Sequence, residues 1–303
     1  MKHIFVINPA AGKYDHTAEY TERIQKAFAG RSDEYEIYIT KCPGDGEHFA
    51  NERASTGEEL RFYACGGDGT LNGVVNGLVG HDNAAVTHVP FGSGNDTIKM
   101  FSDPKAFSEL ERLLDAEEVP LDLIRCGSFY SIDILSLGFD ARVARDMVRY
   151  KKLPAISGKG AYILSIGSNI LHGLSEHYIV RINGKTVDAE QTLICVCNGR
   201  WYGGGFNPVP DAEPDDGILD VLMVKKVSLP KALKAIGSYQ KGEYKRHPEL
   251  IAHERCTCLS VECDQESVVN VDGEIRSAKK AEITIVPHAM RFFYPKGLTY
   301  HNP

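Results

Sequence analysis

The chain has 303 residues, 43% hydrophobic and 25% charged, with 34 Lys and Arg against 41 Asp and Glu for a net charge of −7. These values exclude a disordered chain and a disulfide-stapled mini-protein, and they speak against a broadly basic nucleic-acid binder. The charge is uneven: residues 1–125 hold 12 basic and 21 acidic side chains, a local −9, whereas residues 126–303 hold 22 and 20, a local +2.

The N-terminus reads as a strand running into a turn, without the apolar core and cleavage site of a signal peptide. No run of apolar residues is long enough to span a bilayer as a helix. The eight cysteines include two CxC pairs, Cys195/Cys197 and Cys256/Cys258, in strand-like runs. Such spacing puts both thiols on one strand face, and the CxxC knuckles of zinc sites are absent, so reduced core cysteines and a cytoplasmic protein are expected.

Strand-like runs at 3–7, 35–40, 60–65 and 85–90 alternate with helix-like runs at 17–29, 47–55, 71–79 and 104–115. Alternation with short loops predicts βαβ units and a parallel, Rossmann-like sheet over residues 1–125. After Leu121 the pattern changes. Strand-like runs at 128–138, 178–182, 192–198, 217–224, 256–263 and 267–271 follow one another, broken by helix-like runs at 160–174 and 230–240. This predicts an antiparallel β-sandwich or barrel over 126–287.

Three glycine-containing turns close strands of the first half. Cys65-Gly66-Gly67-Asp68-Gly69-Thr70 opens a helix, so backbone N–H groups and a helix N-terminus can meet an anion there. Asp68 would repel phosphate unless a cation lies between, which argues for a Mg-nucleotide site. Asn8-Pro9-Ala10-Ala11-Gly12-Lys13 lacks Walker A spacing but puts small residues and a lysine at a strand end. Pro90-Phe91-Gly92-Ser93-Gly94-Asn95-Asp96 repeats the logic, with a second carboxylate placed to share a cation. Taken singly, each turn is explained equally well by tight-turn chemistry; the trio is not.

In this order the three turns resemble the bacterial diacylglycerol kinase and sphingosine kinase-type lipid kinases, and the likeness covers nearly the whole chain. It implies a Rossmann-like nucleotide domain, a mainly β lipid-binding domain, and a C-terminal tail (288–303) returning to the first. It implies transfer of the ATP γ-phosphoryl group to a lipid hydroxyl, diacylglycerol first among the acceptors. Carried over by position, Asn8, Pro9, Gly12, Thr40, Gly66, Gly67, Gly69, Thr70, Gly92, Ser93, Gly94 and Asn95 line the nucleotide. Asp68 and Asp96 handle the catalytic Mg-ATP, Lys13 and Lys159 lie near the phosphates, and Asp122 matches an active-site Asp. Val271-Asp272-Gly273-Glu274 resembles the catalytic strand end, with Glu274 as general base and Asp272, on the same side if the segment is extended, as its partner. The segment 210–220 resembles a structural magnesium loop, with the Asp216 carboxylate and the main-chain carbonyls of Glu213 and Ile218 as ligands. Ser93 stands where the family often has Thr and keeps the hydroxyl.

A lipid kinase must meet its substrate at a membrane. Residues 142–159 carry six basic side chains against one acidic, and 225–246 seven against one. Lys231 and Lys234 lie beside Leu229, Leu233 and Ile236, as in an interfacial amphipathic helix. Peripheral association with the inner face of the membrane is therefore expected, with no nucleic-acid partner and, by resemblance, a homodimer. Two other readings stand beside it: an NAD kinase-like small-molecule kinase and a non-catalytic nucleotide-binding regulator.

Overall fold

The structure is a computed structural model that describes residues 1–150, 153 and 158–300, the side chains of 158 and 159 excepted. The chain divides into two compact units, one of Met1–Leu123, Pro214–Asp216 and Val286–Pro303, the other of Ile124–Glu213 and Gly217–Ile285.

In the first unit, β1 (Lys2–Ile7), β2 (Glu34–Ile39), β3 (Leu60–Gly66) and β4 (Ala84–Pro90) alternate with helices α1 (Thr17–Phe28), α2 (Asp45–Ala54) and α3 (Asp68–Leu78). All pairings are parallel: β2–β1, β1–β3 and β3–β4, with Ile7 opposite both Ile39 and Cys65. Buried runs in β1, β3 and β4 suit a parallel sheet covered on both faces. Helix α1 buries Tyr20, Ile24 and Phe28, one face at four-residue spacing. The helix expected over 104–115 is instead a 3₁₀ turn, Pro104–Ser108, and a short α4, Leu110–Leu114. Glu109 takes an extended conformation between them and interrupts the helical ladder. Strand β5 (Ala116–Cys126) follows, mostly in this unit. The final segment supplies one more parallel strand, with Arg291 and Phe292 opposite Ala85 and Val86.

The second unit contains β6 (Phe129–Ser131), β7 (Ile134–Gly138), helices α5 (Phe139–Tyr150) and α6 (Gly158–Leu171), β8 (Glu176–Ile182), β9 (Lys185–Cys197), β10 (Leu219–Lys225), α7 (Leu229–Gln240), β11 (Ile251–Cys256), β12 (Cys258–Val271) and most of β13 (Glu274–Pro295). Its pairings are antiparallel, and two long strands change partner along their length. Strand β9 pairs with β8 over residues 185–191 and with β7 over 193–197, while β12 pairs with β8 over 259–263 and with β7 over 269–271. This wraps the strands around a core that includes Tyr178, Ile194, Val196, Leu219, Val221, Val261 and Ile283. The single strand expected over 128–138 is two strands, because the backbone at 132–134 turns its N–H groups toward Asp272. Helix α5, and the lengths of β5, β11 and β13, are not expected from the sequence pattern. Among the described residues, no helix is long and apolar enough to cross a membrane.

Candidate active site

The three turns meet in the first unit. Asn8, just past β1, donates from Nδ2 to Thr70 Oγ1 at 3.0 Å and accepts from Ala10 N at 3.0 Å. Gly12 has φ +83°, and a Cβ there would stand 2.5 Å from the Phe91 carbonyl oxygen. A Cβ on Gly92 would stand 2.6 Å from Gly67 Cα, and one on Gly66 would overlap the Thr70 side chain. Glycine is thus required by close approach of one turn to another. The Gly66 carbonyl accepts from Phe91 N at 2.8 Å and Gly92 N at 3.2 Å, joining the second turn to the third. Helix α3 starts at Asp68 immediately behind, so its N-terminus faces the same place. Thr40 N donates to the Ile7 carbonyl at 2.9 Å, beside the first turn. Pro9 is half-buried, whereas Lys13, Gly69 and Ser93 are exposed.

Two carboxylates flank Gly94. Asp68 Oδ2 and Asp96 Oδ2 lie 2.6 and 3.5 Å from the position its Cβ would take. Asp68 Oδ1 accepts from Asp96 N at 2.5 Å, and Lys99 Nζ holds Asp96 Oδ1 at 2.5 Å. Asn95 adopts φ +49° and donates from Nδ2 to the Gly92 carbonyl at 2.9 Å, which sets the turn between the two acids. Among the described residues, no cluster of three or more His, Cys, Asp or Glu side chains is built to hold a metal ion. Mg²⁺ needs no such cluster, since one or two carboxylates with phosphate oxygens and water satisfy it, and Asp68 and Asp96 fit that donor set.

Sequence reading passes over His88. It is fully buried on β4, its Nε2 lies 3.1 Å from the Gly66 carbonyl oxygen, and its Nδ1 is buried without a partner. Burial lowers its pKa, against the pull of Asp68, the Gly66 carbonyl and Asp96, so the ring is neutral.

Asp122 is fully buried on β5. Its Oδ1 accepts from His288 N at 2.7 Å, and its own N–H donates to the Pro214 carbonyl at 2.8 Å. The carboxylate thus fixes His288 at φ +52°, a conformation uncommon for a side-chain-bearing residue. Asp215 accepts from Tyr300 Oη at 2.9 Å, and Asp216 is exposed. Glu213 and Ile218 group with the second unit. There the buried Arg200 donates to the Ala212 carbonyl at 2.6 Å and to Glu213 Oε1 at 3.1 Å, so the Glu213 carboxylate is occupied.

The Asp272 segment is not extended. Val271 and Glu274 are the last pair of β12 and β13, and Asp272 and Gly273 between them have φ +46° and +91°. Positive φ at both positions of a two-residue loop is the type I′ hairpin that Asp-Gly favours. Asp272 therefore does not share a strand face with Glu274. Its carboxylate accepts from Ile132 N at 2.7 Å, Asp133 N at 3.3 Å and Ile134 N at 2.9 Å. Burial raises its pKa, and these main-chain donors pull the other way. Asn270 Oδ1 accepts from Gly273 N at 2.9 Å, a second clamp on the hairpin. Glu274 projects from it with its side chain 58% exposed, and Arg276 Nη1 stands 3.7 Å away. Asp140, at the start of α5, is a further acid that sequence reading misses; burial pushes its pKa up to about 6. Lys159 falls at the start of α6, its side chain outside the described residues.

Residues 2–126 match a family model described as the diacylglycerol kinase catalytic domain, and residues 133–294 match the YegS C-terminal NAD kinase beta sandwich-like domain. A Bacillus subtilis (strain 168) protein named diacylglycerol kinase is 26% identical over 295 residues, covering 96% of this chain and 95% of its own. A crystal structure of a diacylglycerol kinase from Bacillus anthracis str. Sterne superposes with a TM-score of 0.69 at 20% identity, covering 97% of each chain.

Proposed function

The chain belongs to the diacylglycerol kinase-type lipid kinases, and we propose that it transfers the γ-phosphoryl group of ATP to the hydroxyl of diacylglycerol, giving phosphatidic acid and ADP. The observation that carries this reading is the pair Asp68 and Asp96, set at three converging backbone-rich turns on the N-terminus of α3. Main-chain N–H groups and the helix end bind phosphate oxygens there, and Lys13 adds positive charge. The acceptor oxygen bonds to the γ-phosphorus, the bond to the bridging oxygen of ADP breaks, and the hydroxyl proton passes to Glu274. Asp272 holds the hairpin that presents Glu274 and is a positioning residue. Mg²⁺, when bound, offsets phosphate charge; Asp68 and Asp96 would hold it, and Asp216 a second, structural ion.

The acceptor lives in a bilayer, so a cytoplasmic enzyme acting peripherally at the inner face completes the reading. It is supported by side chains of the second unit that are apolar yet exposed, Ile163, Leu164 and Leu171 on α6 and Leu233 and Ile236 on α7, with Lys231 and Lys234 exposed on α7.

Purified protein given labelled ATP, Mg²⁺ and mixed micelles of diacylglycerol is expected to yield labelled phosphatidic acid. Phosphatidylglycerol, a sphingoid base and NAD run beside it. NAD is included because the second-domain model is described as NAD kinase-like. Product with NAD and none with any lipid overturns the reading.

A further inference from the structure

The main chain at 132–134, between β6 and β7, is used from both sides. On one side the N–H groups of Ile132, Asp133 and Ile134 hold the Asp272 carboxylate, and the Ile134 carbonyl accepts from Asp272 N at 3.1 Å. On the other side runs the segment that follows β9. Asn198 N and Gly199 N both donate to the Asp133 carbonyl at 2.9 Å, and Asn198 Nδ2 donates to the Ile132 carbonyl at 2.8 Å. A Cβ on Gly199 would stand 2.9 Å from Asp133 Cα, so glycine is required for this approach. Arg200 comes next. It is 6% exposed, and a buried guanidinium must find acceptors. It finds the Ala212 carbonyl and the Glu213 carboxylate, which ties the segment after β9 to the loop ahead of β10. One continuous chain of peptide links and hydrogen bonds inside the second unit thus has Arg200 at one end and the Glu274 hairpin at the other.

Resting on the lipid-kinase reading of Glu274, we propose that Arg200 is a positioning residue for that base. Its two acceptors anchor the run 198–200. That run pins the Ile132 and Asp133 carbonyls, and the pinned main chain aims three N–H groups at Asp272, which closes the type I′ turn behind Glu274. Without the Arg200 anchor the run can withdraw, and the donors that hold Asp272 lose their alignment. A base displaced by about 1 Å can cost on the order of 10²-fold in rate. The turns proposed to bind ATP belong to the first unit and lie off this chain, so the loss falls on kcat.

Hydrogen exchange on the full chain tests the coupling without turnover. Arg200→Met is expected to speed exchange of the Ile132 and Ile134 amides, which hold Asp272, about tenfold. With labelled ATP and diacylglycerol micelles, the same variant is expected to lose about tenfold in kcat with the KM for ATP unchanged. In an Asp272→Asn background it is expected to lower kcat no further, because both changes break one chain. Glu213→Gln weakens one Arg200 contact, is expected to move exchange and kcat in the same directions, and replaces Arg200→Met where that variant does not fold. Exchange that rises only at 198–200 and 212–213, or kcat losses that add in the double variant, overturn the positioning role. If the parent phosphorylates no lipid while the two amides respond, the coupling stands and the kinase reading fails. If lipid is phosphorylated and the amides do not respond, the coupling fails and the kinase reading stands.

Discussion

Glu274 and His88 illustrate two ways in which one side chain can matter. Glu274 is exposed at the end of a clamped hairpin and is the proposed proton acceptor. Glu274→Gln keeps its shape and removes the acceptor, so kcat is expected to fall by about 10²–10⁴ while the KM for ATP and the melting temperature stay near the parent values. Steady-state kinetics with a parallel thermal melt check this; an unchanged kcat would remove Glu274 from the mechanism. His88 touches the Gly66 carbonyl that already joins two turns. His88→Leu is expected to raise the KM for ATP about fivefold, and His88→Gln, which keeps a donor near Nε2, to restore it. Equal losses in both variants would make the ring a packing residue only. The glycines and Asp68 were readable in the sequence because turns that touch tolerate no Cβ and a carboxylate beside phosphate needs a reason. His88, Asn270, Arg200 and Arg276 were not, because their partners are set by packing and register and no local motif marks them.

At the scale of elements, the Asp-Gly segment, which would have put Asp272 beside Glu274 only if extended, is a hairpin turn. The same dipeptide belongs to a catalytic motif and to the I′ turn, and the turn geometry prevails because three main-chain N–H groups capture Asp272. Gly273→Ala forces a side chain to φ +91° and is expected to cost about 1 kcal/mol or more of stability, read from urea unfolding. Helix α5 escaped sequence reading for a different reason. Its buried face includes Arg142 and Asp146, which bond to the Gly173 carbonyl and to Asn169, so polar residues occupy positions where apolar periodicity would be sought. Helices α6 and α7 were anticipated within a few residues. On α7, Leu233→Asp combined with Ile236→Asp is expected to weaken co-sedimentation with anionic vesicles at least severalfold, with no loss of melting temperature because both side chains are exposed. Unchanged vesicle binding would take α7 out of the membrane contact.

For the whole molecule, the net charge of −7 misled only as a sum. The acidic half carries the three turns proposed to bind ATP, so attraction there would be local. The second half carries the basic stretches. Stability also has a pH signature. His3 is buried against Tyr63, its Nδ1 2.8 Å from the phenol oxygen, and burial lowers its pKa to about 4. As pH falls below 6.5 the unfolded chain takes up a proton that the native ring refuses until about pH 4. Stability is therefore lost progressively across that window, by up to about 3 kcal/mol. Urea midpoints of the parent and of His3→Asn should converge between pH 7.5 and 5; parallel curves would contradict the assignment.

The path of the chain has a consequence for synthesis. The first unit takes the strand on the far side of β4 from residues near 291, so the first 123 residues leave the ribosome before that second neighbour of β4 exists. Nascent domains usually fold from the N-terminus as they emerge. Here the parallel sheet remains incomplete until residues near 291 have been made, with Val86 and its neighbours presenting an open edge to chaperones in the meantime. A chain ending at Ile285 is expected to lose hydrogen-exchange protection along β4 while the β12–β8 ladder keeps its own, and stalled nascent chains of increasing length would reveal at which residue that edge closes.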